Sequence, residues 1–363
     1  MTRLLDARAA SERQARLFEL AAIHSKATTR TTPDAWGAEN RVYPPHSGKP
    51  GPRDPRFTPY TIPFTRGFQD LRYRRVVLVT GAQSGKTDGF LDVIGERLDT
   101  RPVPIIYVGP GREFLVDQFE PRLMGLFDEA ATLGAKLARG KRMKKTLKRV
   151  AGVTVRLAHA GSSTALKSDP AGLALVDEYD EMLRNIKGQG DPLGLVEARG
   201  ITYADFVTGI ASTPSSGMVE TEFDEASGLE MWASANPDDV KSPIWKLWQE
   251  GTRHHWTWRC PHCGEPFVPR FKLLRWPKNA TPAQARRAAY LECPQSGCDE
   301  PILDEHKEGM NAGGFFVAPG QTFDEDGNVV GDAPDTSTLS FWVSGLASPF
   351  VSFGERAEAY LKA

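Results

Sequence analysis

Residues 75–87 read RVVLVTGAQSGKT, and the reading of this stretch decides the fold. Four apolar residues in a row, 76–79, stand between charge on one side and glycine on the other. That is the pattern of a strand buried on both faces, as in a parallel sheet. The chain then turns through glycines and opens a helix with Lys86 and Thr87. Strand, glycine turn and helix start together hold nucleotide phosphates: backbone N–H groups converge on the anion, and the helix N-terminus adds its partial positive charge. Lys86 reaches the β- and γ-oxygens, and the Thr87 hydroxyl ligates Mg²⁺. The phosphate seat is Thr80, Gly81, Ala82, Gln83, Ser84, Gly85, Lys86 and Thr87. The usual pattern begins with glycine; here Thr80 takes that place, and Gly81 supplies the turn one residue later.

Further along, apolar runs alternate with helical patterns. Residues 86–98 and 112–133 read as helices, and 104–109, 153–158, 173–177 and 207–211 read as strands. This alternation predicts an α/β fold, a mostly parallel sheet with helices on both faces. The phosphate loop, with the 91 residues from Lys86 to Asp177, suits the P-loop NTPase type, RecA-like with an additional strand. The run LALVDE places Asp177 at the C-terminal end of a strand, where ligands of open α/β sheets bind. Asp177 is expected to hold Mg²⁺ opposite Thr87, and Glu178 to polarise the attacking water. Asp180 and Glu181 read as solvated acids at a helix start. The strand at 207–211 runs into Ser212 and Thr213, hydroxyls placed to sense the γ-phosphate.

Composition narrows the rest. The chain has 363 residues, 40% hydrophobic and 25% charged, enough for about two domains of roughly 150 residues each. No apolar run approaches the ~18 residues of a membrane span, and the N-terminal MTRLLDARAASERQ has no secretory h-region. The net charge of −1 averages unlike segments. Residues 136–149, KLARGKRMKKTLKR, hold eight basic residues and no acid, whereas residues 299–363 hold 12 acids against 3 bases. Lys141, Arg142, Lys144 and Lys145 are the candidates for contacting DNA phosphates, with a solvated hairpin as the other reading of the same run. Residues 8–29 read as a helix, and seven prolines between Tyr43 and Phe64 predict an extended arm. The expected domains are 1–65 (helix and arm), 66–215 (ATPase core) and 216–363 (zinc-ribbon subdomain and C-terminal segment).

The third segment carries all four cysteines. Cys260 and Cys263 form C-x₂-C, and Cys293 and Cys298 form C-x₄-C, the paired spacing of a zinc ribbon. Four thiolates leave no open position, so Zn²⁺ would be structural. Four free thiols or two disulfides are the other reading. Six of the eight tryptophans lie between Trp232 and Trp276, where they read as the core of a small aromatic unit.

With these elements in order, the chain resembles the lambda-like branch of tailed-phage terminase large subunits. The matching stretches are VVLVTGAQSGKT, HAGSSTALKSDPAGLALVDEYDEM, the STP after residue 211, CPHCGEPF with ECPQSGC, and SFWVSGLASPFVSFGERAEAYLKA. The resemblance implies an ATPase using ATP, Mg²⁺ and structural Zn²⁺ to move double-stranded DNA into a procapsid. Its partners would be the portal and the terminase small subunit, with no membrane involved. The chain would be a monomer in isolation and a ring oligomer on the portal, in the cytoplasm of the infected host. Lys86, Thr87, Asp177 and Glu178 keep the roles derived above, and Ser212 and Thr213 couple hydrolysis to motion. Some terminases carry an arginine inside the phosphate loop. Here Ala82 and Gln83 occupy that stretch, so Gln83 would orient phosphate or water, and the arginine would be Arg199 or a neighbouring subunit's. The family's C-terminal nuclease is not expected, since the chain stops at Ala363 before its carboxylate cluster. The alternatives are another P-loop helicase or translocase with a zinc ribbon, and a non-catalytic zinc-bearing module that docks on DNA or capsid.

Overall fold

The strand read from residues 76–79 is present as Arg75–Thr80, and its alternate side chains enter two different cores. Val76 and Leu78 join an apolar cluster with Phe64 and Phe90, while Val77 and Val79 join another with Ile244 and Trp245. Successive strand side chains point to opposite faces, so a strand apolar at every position is one covered on both. A computed structural model describes residues 31–363 except 46, 139, 141–143, 168, 184, 187, 189 and 217–219. The helix expected over residues 8–29 lies outside the described residues.

Ten strands make the central sheet. In chain order they are β1 (Arg75–Thr80), β2 (Ile105–Gly109), β3 (Leu147–Val150), β4 (Val153–His159), β5 (Leu173–Asp177), β6 (Val207–Ser212), β7 (His254–Arg259), β8 (Pro266–Phe267), β9 (Phe315–Val317) and β10 (Thr338–Val343). The spatial order is β8-β7-β10-β1-β6-β5-β2-β4-β3, with β9 also paired to β7. Pairing is parallel from β7 through β4 and antiparallel at β3, β8 and β9. Five helices position the site: α1 (Pro33–Asn40), α2 (Lys86–Thr100), α3 (Glu120–Glu129), α4 (Pro243–Gln249) and α5 (Phe353–Lys362).

Residues beyond 215 do not stand apart from this sheet. β10 inserts between β7 and β1, in register from Thr338 opposite Arg75 to Val343 opposite Thr80. Residues Thr32–Ala363 accordingly form one compact unit. The signal is hidden in the sequence because β10 carries polar residues that are satisfied internally. The buried Ser340 hydroxyl donates to the Trp248 carbonyl (2.7 Å) and accepts from the Arg253 amide (2.8 Å). The tryptophans follow the sheet too. Trp232 packs edge-on against Trp245 and Trp342, on the face of α4. Trp256 and Trp258 of β7 both donate to Asn311 Oδ1.

The proline-rich arm is extended in part, but it forms a short helix over Thr61–Arg66. Pro63 sits in its first turn, where an N–H has no intrahelical partner to lose. Buried charge pins the arm to α2. Arg41 reaches Asp92 (2.5 Å) and Asp88 (2.9 Å), and Arg53 reaches the other oxygen of Asp92 (3.1 Å).

Candidate nucleotide site and cysteine cluster

The loop between β1 and α2 closes on two residues with left-handed backbone, Gln83 (φ 55°) and Gly85 (φ 80°). At Gly85 a side chain would also press on Thr58, 3.2 Å from where its Cβ would stand. Ser84 donates back to the Gly81 carbonyl (2.8 Å), which fixes the arc. The loop is buttressed from the far end of the sequence: Ser348 donates to the Gln83 carbonyl (2.6 Å), and Gly345 lies against Gly81, with 3.1 Å from its Cα to a Cβ built there. Thr80 and Gly81 therefore lie behind the loop. The cavity in front, about 390 Å³, is lined by Ala82 through Asp88, Phe114, Gln118, Phe119, Arg122, Glu178 and Phe350.

Three groups converge at the mouth of this cavity. Lys86 Nζ lies 3.0 Å from Glu178 Oε1 and donates to Thr213 Oγ1 at 2.8 Å. The Thr213 amide donates to the other Glu178 oxygen (3.3 Å). Glu178 adopts the left-handed region (φ 54°), strained for a residue with a side chain and concentrated at functional sites. Behind it, Asp177 is fully buried, with its Oδ2 accepting from Thr87 Oγ1 (3.0 Å) and from the Tyr107 hydroxyl (2.6 Å). Burial pushes the Asp177 carboxyl above the usual range, against the pull of Tyr107 and Lys86. Burial and the neighbouring carboxylate raise the Tyr107 hydroxyl well above its ordinary value. Tyr107 stacks face to face on Phe119, with centroids 3.5 Å apart. A hydroxyl and a carboxylate at hydrogen-bond distance, both pure oxygen donors beside a phosphate loop, fit a hydrated Mg²⁺.

Asp180 is not the solvated acid the sequence suggests. Its carboxylate accepts from the amide and hydroxyl of Ser215 (2.7 and 2.8 Å), the hydroxyl of Ser242 (2.5 Å) and the amide of Ile244 (2.8 Å). Its own amide donates to Ser212 Oγ (3.0 Å). The acid turn, the Ser212–Thr213 segment and the start of α4 are thus tied through one residue. Arg199 does not reach the site. Its carbonyl accepts from the Ala171 amide just before β5 begins, and its guanidinium donates to the Lys167 carbonyl (3.2 Å). That is the end of β5 opposite Asp177.

Beside the phosphate cavity opens a second one of about 590 Å³, walled by the arm and α2, with Tyr43, Lys49, Phe57, Leu91 and Phe350 among its lining. The two share Gly85, Asp88, Arg122 and Phe350. Phe57 and Phe350 meet edge to face at 5.1 Å, and Lys49 lies over the Phe57 ring. Sequence reading misses Tyr107, Ser348, Arg122 and Phe350. Of these only Tyr107 carries a signal, as the single hydroxyl in the buried run IIYVG. Of the basic stretch, Lys141 and Arg142 lie outside the described residues, and Lys144 and Lys145 are exposed. Lys136 pairs with Asp99 at the surface, and the buried Lys148 pairs with Glu120.

The four cysteines come together. Their Sγ atoms all lie within 4.8 Å of one another, with Cys260–Cys298 at 3.7 Å and Cys263–Cys293 at 3.8 Å. A tetrahedron with Zn–S bonds of about 2.3 Å has edges of about 3.8 Å, so the donor set fits that ion.

A glycine turn at the head of a central parallel strand, with an acid pair on a nearby strand end, sits in a fold of one class: an α/β protein built on a large, mostly parallel sheet. The family model of the phage terminase large subunit gpA ATPase domain matches residues 47–315, and the chain belongs to that family. No curated protein matches the chain. Among solved structures, the HK97 bacteriophage large terminase is 15% identical over 50% of this chain and 37% of its own, with a TM-score of 0.40. The Thermus phage P74-26 large terminase ATPase domain is 14% identical over 66% of this chain and 83% of its own, also at 0.40. The Phi-28 gp11 DNA packaging motor is 15% identical over 39% and 46%, at 0.26. This chain thus spans little more than a third of the HK97 protein's length. Scores this low add nothing to the family assignment. Among the described residues no helix is long and apolar enough to cross a membrane.

Proposed function

We propose that this chain is the ATP-hydrolysing motor portion of a terminase large subunit, which draws double-stranded DNA into a procapsid. The observation that carries this reading is the shared hold on Lys86. The cation suited to a γ-phosphate rests on Glu178, the candidate base, and on Thr213, the candidate coupling hydroxyl. A triphosphate that takes Lys86 releases both at once, so binding, the water-activating acid and the Ser212–Thr213 segment change together. Glu178 then accepts a proton from the attacking water, and Gln83 and the loop amides hold the phosphates. Thr87 and Asp177 would hold Mg²⁺, which neutralises phosphate charge when bound. The base and ribose fit the neighbouring aromatic-walled cavity.

The cysteine cluster is read as a structural Zn²⁺ site, because its edge lengths fit a tetrahedral ion and no ligand position is left open. Lys144 and Lys145, with Lys141 and Arg142, remain the proposed DNA contacts. Portal, procapsid and small subunit are the proposed partners, in a ring on the portal. The reading covers ATP hydrolysis and DNA movement, not DNA cleavage.

The test is Mg²⁺-dependent ATPase activity of the chain with Lys86→Ala and Glu178→Gln. Glu178→Gln is expected to keep nucleotide binding and to lose about 10²–10⁴-fold in turnover, and Lys86→Ala to lose both. Unchanged turnover in Glu178→Gln overturns the assignment of the base. Failure of the unaltered chain to bind nucleotide overturns the reading itself.

A further inference from the structure

The phosphate cavity has one charged group left without a partner. Four charged side chains line it: Lys86, Asp88, Arg122 and Glu178. Lys86 pairs with Glu178, and Asp88 pairs with Arg41. Arg122 is exposed and makes no ion pair among the described residues. It also lines the second cavity, so it stands where the two join, together with Gly85, Asp88 and Phe350.

Local structure puts it there. Residues Phe114–Phe119 form a π-helical turn directly before α3. Such turns carry an extra residue, rotate the helix beyond them and recur at functional sites. Gln118 and Arg122, four apart across this junction, both face the cavity. Phe119 stacks on Tyr107, which fixes the base of the turn.

The charge balance calls for such a group. A nucleoside triphosphate with its metal remains anionic, and the loop contributes only Lys86, since Ala82 and Gln83 are neutral. Arginine suits the role through its rigid fork of donors to phosphate oxygens. Lys86 and Glu178 mark the γ-phosphate end of the cavity. Neither of them lines the second cavity, so the junction with it is where the polyphosphate chain would meet the ribose.

We propose that Arg122 binds the α-phosphate end of the nucleotide's polyphosphate chain and supplies in cis the charge that the loop lacks. This rests on the nucleotide reading above and deepens it: Arg122 is assigned to binding, and the group that completes the γ-phosphate end is a different one.

The test measures binding of ADP and of adenosine by calorimetry, together with steady-state ATPase kinetics, for the unaltered chain, Arg122→Ala and Arg122→Lys. Arg122→Ala is expected to weaken ADP by about tenfold or more, the loss of a charge-assisted contact, and to leave adenosine binding as it was. KM for ATP rises more than kcat falls. Arg122→Lys recovers part of the loss by returning the charge without the fork. Equal ADP affinity in Arg122→Ala and the unaltered chain overturns the assignment, and so does a fall in kcat at constant KM, which would place Arg122 at the γ-phosphate. An unaltered chain that binds no adenine nucleotide overturns the nucleotide reading as well, which separates the two failures.

Discussion

The two wings of the sheet on either side of β1 are built by different rules. On one side, β6, β5 and β2, VTGIAS, LALVD and IIYVG, are buried at every position, and apart from Thr208 their polar side chains are Tyr107, Asp177 and Ser212 of the candidate site. On the other, β10 is as deeply buried and β7 is buried except at its two ends, and they carry Ser340, His254, His255 and Thr257. The first wing is held mainly by apolar contact and ends in the candidate phosphate site. The second is held by a buried polar network and by the cysteine cluster. The lesson is that equal burial does not mean equal construction: one wing tolerates changes of polarity poorly, the other changes of partner.

The contrast is broken most forcefully at the cysteines. Purified protein is expected to carry one zinc per chain, and Cys293→Ser to lose it. Because the binding free energy of a structural zinc is folding free energy, on the order of 10 kcal/mol in small zinc domains, the variant should melt far below the unaltered protein. Nucleotide binding decides whether the wings are independent. If it survives removal of the metal, the apolar wing stands alone; if it disappears, the sheet behaves as one unit.

A second, smaller effect belongs to the nucleotide side. Asp92→Ala leaves Arg41 and Arg53, both about 4% exposed, buried without their shared carboxylate. The expected loss is about 3–5 kcal/mol, read as a fall in denaturation midpoint. A loss below about 1 kcal/mol would mean that the arm does not rely on this cluster.

The third test sharpens the contrast by pH. Burial lowers His254 to about 4 and His255 well below its ordinary 6.5. Both are therefore neutral in the folded protein. Below pH 6.5 the unfolded chain takes up protons that the folded one refuses, so stability is intact above 6.5 and lost as pH falls toward 4. Between pH 7 and 5 each histidine is expected to cost about 2 kcal/mol. The melting temperature measured across that range should drop, and His254→Gln should remove about half of the drop. A flat profile would mean that burial does not hold these histidines neutral in the folded protein.

How much is legible in the sequence divides along the same line. The strand and loop at 75–87, the acid at 177 and the hydroxyls at 212–213 are readable because each is a local pattern with a local physical cause. The cysteine spacing is readable for the same reason. β10 is not, since Ser340 breaks the apolar run and its partners, Trp248 and Arg253, lie some ninety positions away. Tyr107, Ser348 and Arg122 act across elements, and no spacing rule reaches them. Asp180 misleads because an acid after a strand looks solvated until the residues that donate to it, Ser215, Ser242 and Ile244, are seen in place. For the missing arginine the sequence leaves Arg199 or one from a neighbouring subunit, and the sheet puts Arg199 at the end away from Asp177.

The insertion of β10 beside β1 also sets a timetable. As the chain leaves the ribosome, β1 emerges early and can pair with β6, but its other edge stays open until residues 338–343 appear. The hydrogen bond from Ser348 to Gln83 closes over 265 positions. Closing so long a loop costs only logarithmically more than a short one, yet contacts of such sequence separation form slowly. Until β10 emerges, the β1 edge is an exposed hydrophobic template, open to pairing with another nascent chain. The candidate nucleotide seat is begun with β1 and finished only when β10 and Ser348 arrive.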